Sequence, residues 1–195
     1  MDKNKKQNLI NIFIFIFVFI FIITWLLTVY HLGAVNIVNY IGLNNLYIFI
    51  FIIAILSGSS SFVSATFFSV YLTLSAGIDN HLLLAISGGL GLSIGDSIFY
   101  YLGRKSVNVK NKKWNKITKK LSSWMKKQSL FVVYLVIFTY NSFTPFPGDI
   151  LNIILGLSKI KYKKIIIIII LGNISLLYLI TYLLHNNPKI IEILS

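Results

Sequence analysis

Apolar stretches separated by short polar segments make up most of the chain, and their lengths fall into two classes. Residues 9–30 are almost unbroken apolar sequence, and a helix of that length extends about 33 Å, enough to cross a hydrocarbon core of about 30 Å. Segments 82–101 and 165–184 are similarly long. We therefore predict three membrane-spanning helices. The first is interpreted as an N-terminal anchor over 1–30 rather than a cleaved signal peptide, whose apolar region is only about 7–15 residues long.

Two further regions contain apolar arms that are too short to cross a membrane. The first arms of 46–78 and 130–158 would extend only about 17 Å and 21 Å as helices. Polar residues interrupt each region, after which apolar sequence returns. We predict that each region is a re-entrant hairpin. The alternative is that each is one kinked span.

The basic residues indicate how these segments are oriented. The chain has 18 Lys and Arg against 5 Asp and Glu, a net charge of +13. All but one of the bases fall in three clusters, at 3–6, 104–127 and 159–164, and such clusters favour the cytoplasmic side. All three clusters lie on that side only if each hairpin returns to the side of the membrane from which it enters. The first hairpin then enters from outside, and the second enters from inside. The predicted fold class is thus an all-α polytopic membrane protein with an inverted repeat of re-entrant hairpin plus transmembrane helix.

Composition narrows the classes of function. Only 12% of residues are charged, about half the share in soluble domains, which excludes an ordinary soluble enzyme. Cysteine is absent and the three histidines are isolated, so no metal site, cofactor or catalytic set is expected. The basic loop 102–129 interleaves Trp and Leu with Lys, as an amphipathic helix on an anionic membrane surface does. Anionic lipid headgroups are the expected partners of this loop, and nucleic acid is not.

Acidic residues at membrane depth are the first candidate functional groups. Asp96 and Asp149 fall within or beside predicted membrane segments, where an ionisable group is costly and usually faces a cavity or a partner. Either could carry a transported proton or pair with a base. Asp96, Tyr100 and Arg104 follow one another at intervals of four, so they share a helix face. Arg104, the only arginine, is expected to attract a phosphate or Asp149, although it could simply snorkel at the helix end.

A polar break in the second hairpin is the strongest local signal for a site. Pro145 and Pro147 stop helix propagation, and such a break persists in a membrane only where it is buried in protein or lines a wet cavity. Polar residues crowd the same stretch: Asn141, Ser142, Thr144, Asp149 and Asn152. Ser59 and Thr66, at the bend of the first hairpin, are expected to face them.

Two motifs resemble the DedA family, also called the SNARE-associated Golgi protein or VTT domain. The stretch from Gly91 to Arg104 reads G-L-S-I-G-D-S-I-F-Y-Y-L-G-R, similar to the family's G-x-x-x-G-D-x-x-x-Y-x-x-G-R. The stretch from Phe143 to Gly156 resembles the family's proline-containing hairpin. The likeness covers about residues 46–184. Four glycines of these motifs are expected to allow close helix packing: Gly91, Gly95, Gly103 and Gly156.

The resemblance implies an integral membrane protein that moves phospholipid or polyprenyl phosphate between leaflets as a flippase or scramblase, through a groove between two re-entrant hairpins. Two alternatives remain open from the residues themselves. One is a proton-coupled transporter of a small solute, which the two acids would serve. The other is a membrane assembly protein that transports nothing. A homo-oligomer is compatible with each of these hypotheses.

Overall fold

The computed structural model describes residues 34–58, 61–105, 112–144 and 148–186, together with positions 16, 20, 23, 24, 27 and 31. These residues form helices and connecting turns without a strand, in agreement with the predicted all-α class. The predicted anchor helix lies outside the described residues, apart from those isolated positions. Eight helices are described in full: α1 (Ala34–Ile41), α2 (Leu43–Gly58), α3 (Ser61–Ala76), α4 (His81–Lys105), α5 (Lys112–Lys127), α6 (Leu130–Phe143), α7 (Asp149–Leu157) and α8 (Tyr162–His185).

Two of these helices, α4 and α8, are long and apolar enough to cross a membrane. Their 25 and 24 residues correspond to about 37 Å and 36 Å. They coincide with the predicted spans 82–101 and 165–184. However, α4 continues to Lys105, so the predicted loop at 102–129 begins inside a helix. At that end of α4, Gly103 packs directly against the backbone of Ile153 in α7.

The remaining helices are shorter, and one of them was not predicted. Helix α1 contains two Asn among six apolar or aromatic residues, and its Val38 is buried in the core. Gly42 separates α1 from α2 with a φ of +79°, a conformation that glycine adopts at little cost. The predicted amphipathic segment of the basic loop forms helix α5.

Helix α4 lies at the centre of the molecule. It packs against α2, α7 and α8, while α6 packs against α8 and α5 rests on α7. Close approach of α4 to α2 depends on glycine, since a Cβ added at Gly95 would lie 2.5 Å from the carbonyl oxygen of Ile55. On the α7 side, a Cβ added at Gly156 would lie 2.7 Å from the backbone nitrogen of Arg104. The glycines therefore allow α4 to contact two helices through backbone atoms.

The buried apolar residues form two clusters, with polar residues at the level between them. The first cluster joins α1, α2, α3 and α4 with Leu177 of α8, and the second joins α6, α7 and α8 with Tyr100 of α4 and Met125 of α5. On each long helix, a buried polar residue lies four positions from a member of either cluster. On α4, Asp96 lies between Leu92 of the first cluster and Tyr100 of the second. On α8, Asn173 lies between Ile169 of the second cluster and Leu177 of the first. The polar level therefore lies near the middle of both long helices.

Large apolar side chains cover much of the outer surface. On α2, for example, Ile48, Ile52 and Leu56 are each more than half exposed and follow one another at intervals of four. A soluble monomer rarely exposes extended apolar patches. These outer faces are suited to contact with lipid tails, which agrees with a membrane protein.

Candidate functional site

A small cavity of about 50 Å³ occupies the polar level between the two apolar clusters. Four helix ends reach it, because α2 and α6 end at the cavity while α3 and α7 begin there. The long helices α4 and α8 complete its wall with their middle residues. The polar side chains that line it are those of Ser57, Ser64, Asp96, Asn141, Thr144, Asp149 and Asn173.

The carboxylate of Asp96 is held by the other long helix. Asn173 donates from Nδ2 to Oδ2 of Asp96 at 3.0 Å and to Oγ of Ser93 at 3.1 Å. Ser93 in turn donates to the carbonyl oxygen of Gly89 at 2.7 Å. All three polar side chains are buried. This chain of hydrogen bonds fixes one carboxylate oxygen of Asp96 and leaves the other directed elsewhere.

That second oxygen faces the beginning of α7. A Cβ added at Gly148 would lie 2.9 Å from Oδ1 of Asp96 and 3.3 Å from Nδ2 of Asn152. Asp149, in the first turn of α7, is buried and close enough to interact electrostatically with Asp96. None of the described residues that line the cavity is Lys, Arg or His. The two acids that the sequence singled out therefore share one small cavity, although 53 positions separate them along the chain.

Buried polar atoms near this level lack partners among the described residues. They are Oγ of Ser57, Oγ1 of Thr66, Nδ2 of Asn141, Oγ of Ser142 and Oδ1 of Asn152. Buried polar groups are nearly always hydrogen-bonded, often to ordered water. A cavity of about 50 Å³ has room for roughly three water molecules. The site is therefore suited to hold water in the interior of the helix bundle.

Tyr100 and Arg104 share a helix face with Asp96, as predicted, but belong to a different environment. Arg104 donates from Nη1 to the hydroxyl of Tyr100 at 2.9 Å, and that hydroxyl donates to the carbonyl oxygen of Ile160. Arg104 itself is exposed. Eight residues, or about 12 Å of helix, separate it from Asp96. The arginine thus lies at the end of the helix rather than at the cavity.

The other predicted residues divide into three groups. Asn141, Thr144 and Asp149 line the cavity, and Asn152 lies beside it. Thr66 and Ser142 are buried but do not line it, and Ser142 instead borders an apolar groove between α6 and α8. The remaining three lie outside the described residues: Ser59, Pro145 and Pro147.

Sequence reasoning missed Asn173 and Ser93, whereas Ser57 and Ser64 belong to the polar bend that it predicted for the first hairpin. Asn173 stands alone within a long run of Ile and Leu in α8. An isolated amide in an otherwise apolar span is itself a signal for a buried hydrogen-bonded partner. Ser93 carried a weaker signal, because serine packs readily in membrane helices without any role in a site.

Comparison with known proteins gives one match. A family model described as the VTT domain matches residues 61–186, which is well over half of the chain and includes both acidic residues of the cavity. No curated protein matches the chain, and no solved structure does. The match agrees with the resemblance found in the two glycine- and proline-containing motifs.

Proposed function

Because this chain belongs to the VTT domain family, the domain of the DedA and SNARE-associated Golgi proteins, we propose that it moves membrane lipids between the two leaflets. The single observation that carries the proposal is the polar cavity at the middle of α4 and α8. Helices α2 and α6 end at this cavity, and the helices that follow them, α3 and α7, begin there. A lipid headgroup crosses a membrane slowly because it must leave water. Polar groups at mid-depth lower that cost.

In this proposal the pairs α2–α3 and α6–α7 are re-entrant hairpins of an inverted repeat. The pairing of helices supports this assignment: α2 packs on α4, and α6 packs on α8 in the corresponding way. Likewise α7 contacts α4, and α3 contacts α8. The chain is then a multi-pass protein whose N-terminus and α5 face the cytoplasm, because the basic clusters favour that side.

The size of the cavity sets a requirement on the mechanism. A space for roughly three waters is too small for a phospholipid headgroup, so the two hairpin tips must separate as a lipid passes. Ser57 and Ser64 on one tip and Thr144 and Asp149 on the other then hydrate the headgroup in turn. The acyl tails stay against the apolar outer faces of the helices.

A vesicle assay tests the proposal. The full chain is reconstituted with fluorescent phospholipid, and dithionite bleaching reports how fast lipid from the inner leaflet reaches the outer one. We expect bleaching well beyond half of the signal, and a loss of that excess when both Asp96 and Asp149 are changed to Asn. Asp79→Asn is the matched control, because Asp79 is exposed near the start of α4. A wild-type rate equal to that of empty vesicles would refute the proposal.

A second candidate function is proton-coupled transport of a small solute. The observation that favours it is the pair of acids beside a cavity large enough for water but not for a headgroup. This alternative predicts uptake that depends on a pH gradient and stops after Asp96→Asn or Asp149→Asn. It also predicts lipid exchange at the background rate, so the two assays together separate the two functions.

Topology is tested independently of transport. The chain contains no cysteine, so single cysteines can be introduced at Lys127 and Lys159 without a background signal. An impermeant maleimide should label both from the same side of the membrane. Labelling from opposite sides would show that α6 and α7 cross together as one kinked span.

A further inference from the structure

A second cavity, of about 280 Å³, lies at the C-terminal end of α4. Three separate parts of the chain contribute to it: the last residues of α4, one face of α5, and the turn after α7. Its charged and hydroxyl side chains are Arg104, Lys119, Lys126, Lys159, Ser122 and Ser123. We name these six residues the basic cavity.

The charge of the basic cavity is uncompensated along the chain. No Asp or Glu occurs between residues 97 and 148. Asp96 and Asp149 instead lie at the polar level in the middle of the bundle. Four cations gathered around one space repel each other, and an anion placed between them would relieve that repulsion. Arginine and serine donors around the same space suit a phosphate group, whose oxygens accept several hydrogen bonds.

Two of the cations are held in position by the fold. The hydroxyl of Tyr100 accepts a hydrogen bond from Arg104 and donates one to Ile160, so it ties the arginine to the residue next to Lys159. Lys159 has a φ of +57°, a left-handed conformation that is uncommon for residues other than glycine. Its backbone N–H donates to the carbonyl oxygen of Gly156 at 3.1 Å. A lysine therefore occupies a helix-end position where glycine is usual.

Helix α5 carries exposed apolar side chains next to the basic cavity. Met125 and Ser122 are buried against the bundle, and Oγ of Ser158 approaches the sulfur of Met125 at 3.9 Å. Leu121 and Trp124 on the same helix are more than 40% exposed. Tryptophan with lysine on one surface helix is typical of the headgroup level of a membrane. The basic cavity is thus placed at the depth of lipid phosphates.

We propose that the basic cavity binds the phosphate of an anionic membrane lipid and thereby holds α5 against the ends of α4 and α7. The inference rests on the proposed function in one respect, since it takes from it that α5 lies at the membrane surface. It adds the chemical class of the lipid that binds there. Binding is measured at equilibrium, so it is tested separately from transport. Free phosphate shares the same chemistry, and the experiment must separate the two sources.

The experiment measures thermal unfolding of the full chain in a neutral detergent. It is titrated with short-chain phosphatidic acid, with short-chain phosphatidylcholine, and with inorganic phosphate. We expect phosphatidic acid to raise the unfolding temperature in a saturable way, and the other two probes to have little effect. An increase in unfolding temperature with inorganic phosphate equal to that with phosphatidic acid would assign the cavity to a soluble anion. An unchanged unfolding temperature with phosphatidic acid would refute the site.

A pair of double variants separates the cavity from general surface charge. Lys119→Gln with Lys126→Gln removes two cations of the basic cavity, whereas Lys120→Gln with Lys127→Gln removes two exposed neighbours on the same helix. We expect the first variant to need roughly tenfold more phosphatidic acid for half of the shift, and the second to resemble the wild type. Equal weakening of both variants would show that only net charge matters and would overturn the proposal.

A third variant guards against loss of folding. Lys159→Gly removes one cation and also relieves the left-handed backbone conformation. We expect an unfolding temperature, without lipid, at or above that of the wild type, together with a several-fold weaker response to phosphatidic acid. An unchanged response would contradict the inclusion of Lys159 in the site. Lipid exchange in vesicles is then measured on the same variants, and its failure in the wild type would count against the proposed function alone.

Discussion

Asn173 in α8 donates a hydrogen bond to the carboxylate of Asp96 in α4 at 3.0 Å, and both side chains are buried. This contact joins the two long helices near their midpoints, at the level where the polar cavity lies. A hydrogen bond between transmembrane helices stabilises modestly on average. Its main consequence here is positional, since it fixes the orientation of the one acid that α4 presents to the cavity.

The contact between Asp96 and Asn173 can be measured by a double-mutant cycle. We expect Asp96→Ala and Asn173→Ala, singly and together, to give a coupling of about 1 kcal/mol in the free energy of unfolding. Unfolding is followed in mixed micelles of increasing denaturing detergent. Asp96→Ala combined with Asn186→Ala is the control, because Asn186 is exposed beyond the end of α8. That pair should be additive. A coupling near zero for the first pair would mean that the hydrogen bond has no energetic weight.

The close approach of α2 and α4 predicts different tolerances at two glycines of α4. An alanine Cβ at Gly95 would meet backbone atoms of Ile55 and Gly58 at 2.5–2.6 Å, whereas one at Gly88 comes closest to the end of the Leu177 side chain. Backbone cannot move as readily as a side-chain terminus. We expect Gly95→Ala to cost about 1–3 kcal/mol of stability and Gly88→Ala clearly less. Equal losses in the same detergent titration would contradict this account of the packing.

The bridging hydroxyl of Tyr100 predicts a measurable effect at the basic cavity. Tyr100→Phe removes the acceptor for Arg104 and the donor to Ile160, while the ring remains buried. The loss of stability should be about 1 kcal/mol, and the affinity for phosphatidic acid should fall because Arg104 is no longer held. Tyr101→Phe is the matched control, since Tyr101 is half exposed. If both variants bind the lipid as the wild type does, Tyr100 does not position the arginine.

If lipid headgroups pass between the proposed hairpin tips, the tips must separate because the cavity is small, and a cross-link between them should stop lipid exchange. Ser57→Cys and Thr144→Cys place one thiol on each side of the cavity in a chain that has no other cysteine. We expect a short bifunctional thiol reagent to halt dithionite-detected exchange in the double variant, and reduction of a cleavable reagent to restore it. Each single variant treated with the same reagent is the control. Continued exchange in cross-linked protein would exclude passage between the tips.

The sequence predicted the long helices well because length and apolar content determine a membrane span almost alone. Helices α4 and α8 agree with the predicted spans to within a few residues at each end. The end of α4 was set too early because the apolar sequence ends before Gly103 and Arg104, whereas the helix continues to Lys105. Helix α1 was missed because it is only eight residues long and two Asn interrupt its apolar sequence, so the burial of Val38 against α2 and α3 was not evident from the pattern.

The candidate site was predictable in part, for physical reasons that differ between residues. Asp96 and Asp149 were identified because an acid at membrane depth is costly wherever it lies. Their proximity required knowledge of how α7 packs on α4, which a sequence pattern does not contain. Arg104 was assigned to the same helix face as Asp96, correctly, but two helical turns carry it to the end of the bundle. Asn173 was overlooked because, unlike Asn141 and Asn152, it has no proline or acid near it in the sequence.

The two apolar clusters flank the level at which Asp96 and Asp149 lie. Charges interact more strongly in such surroundings than in water, and salt screens them less. An ion or a headgroup that reaches the cavity therefore experiences the carboxyl groups of Asp96 and Asp149 with little screening.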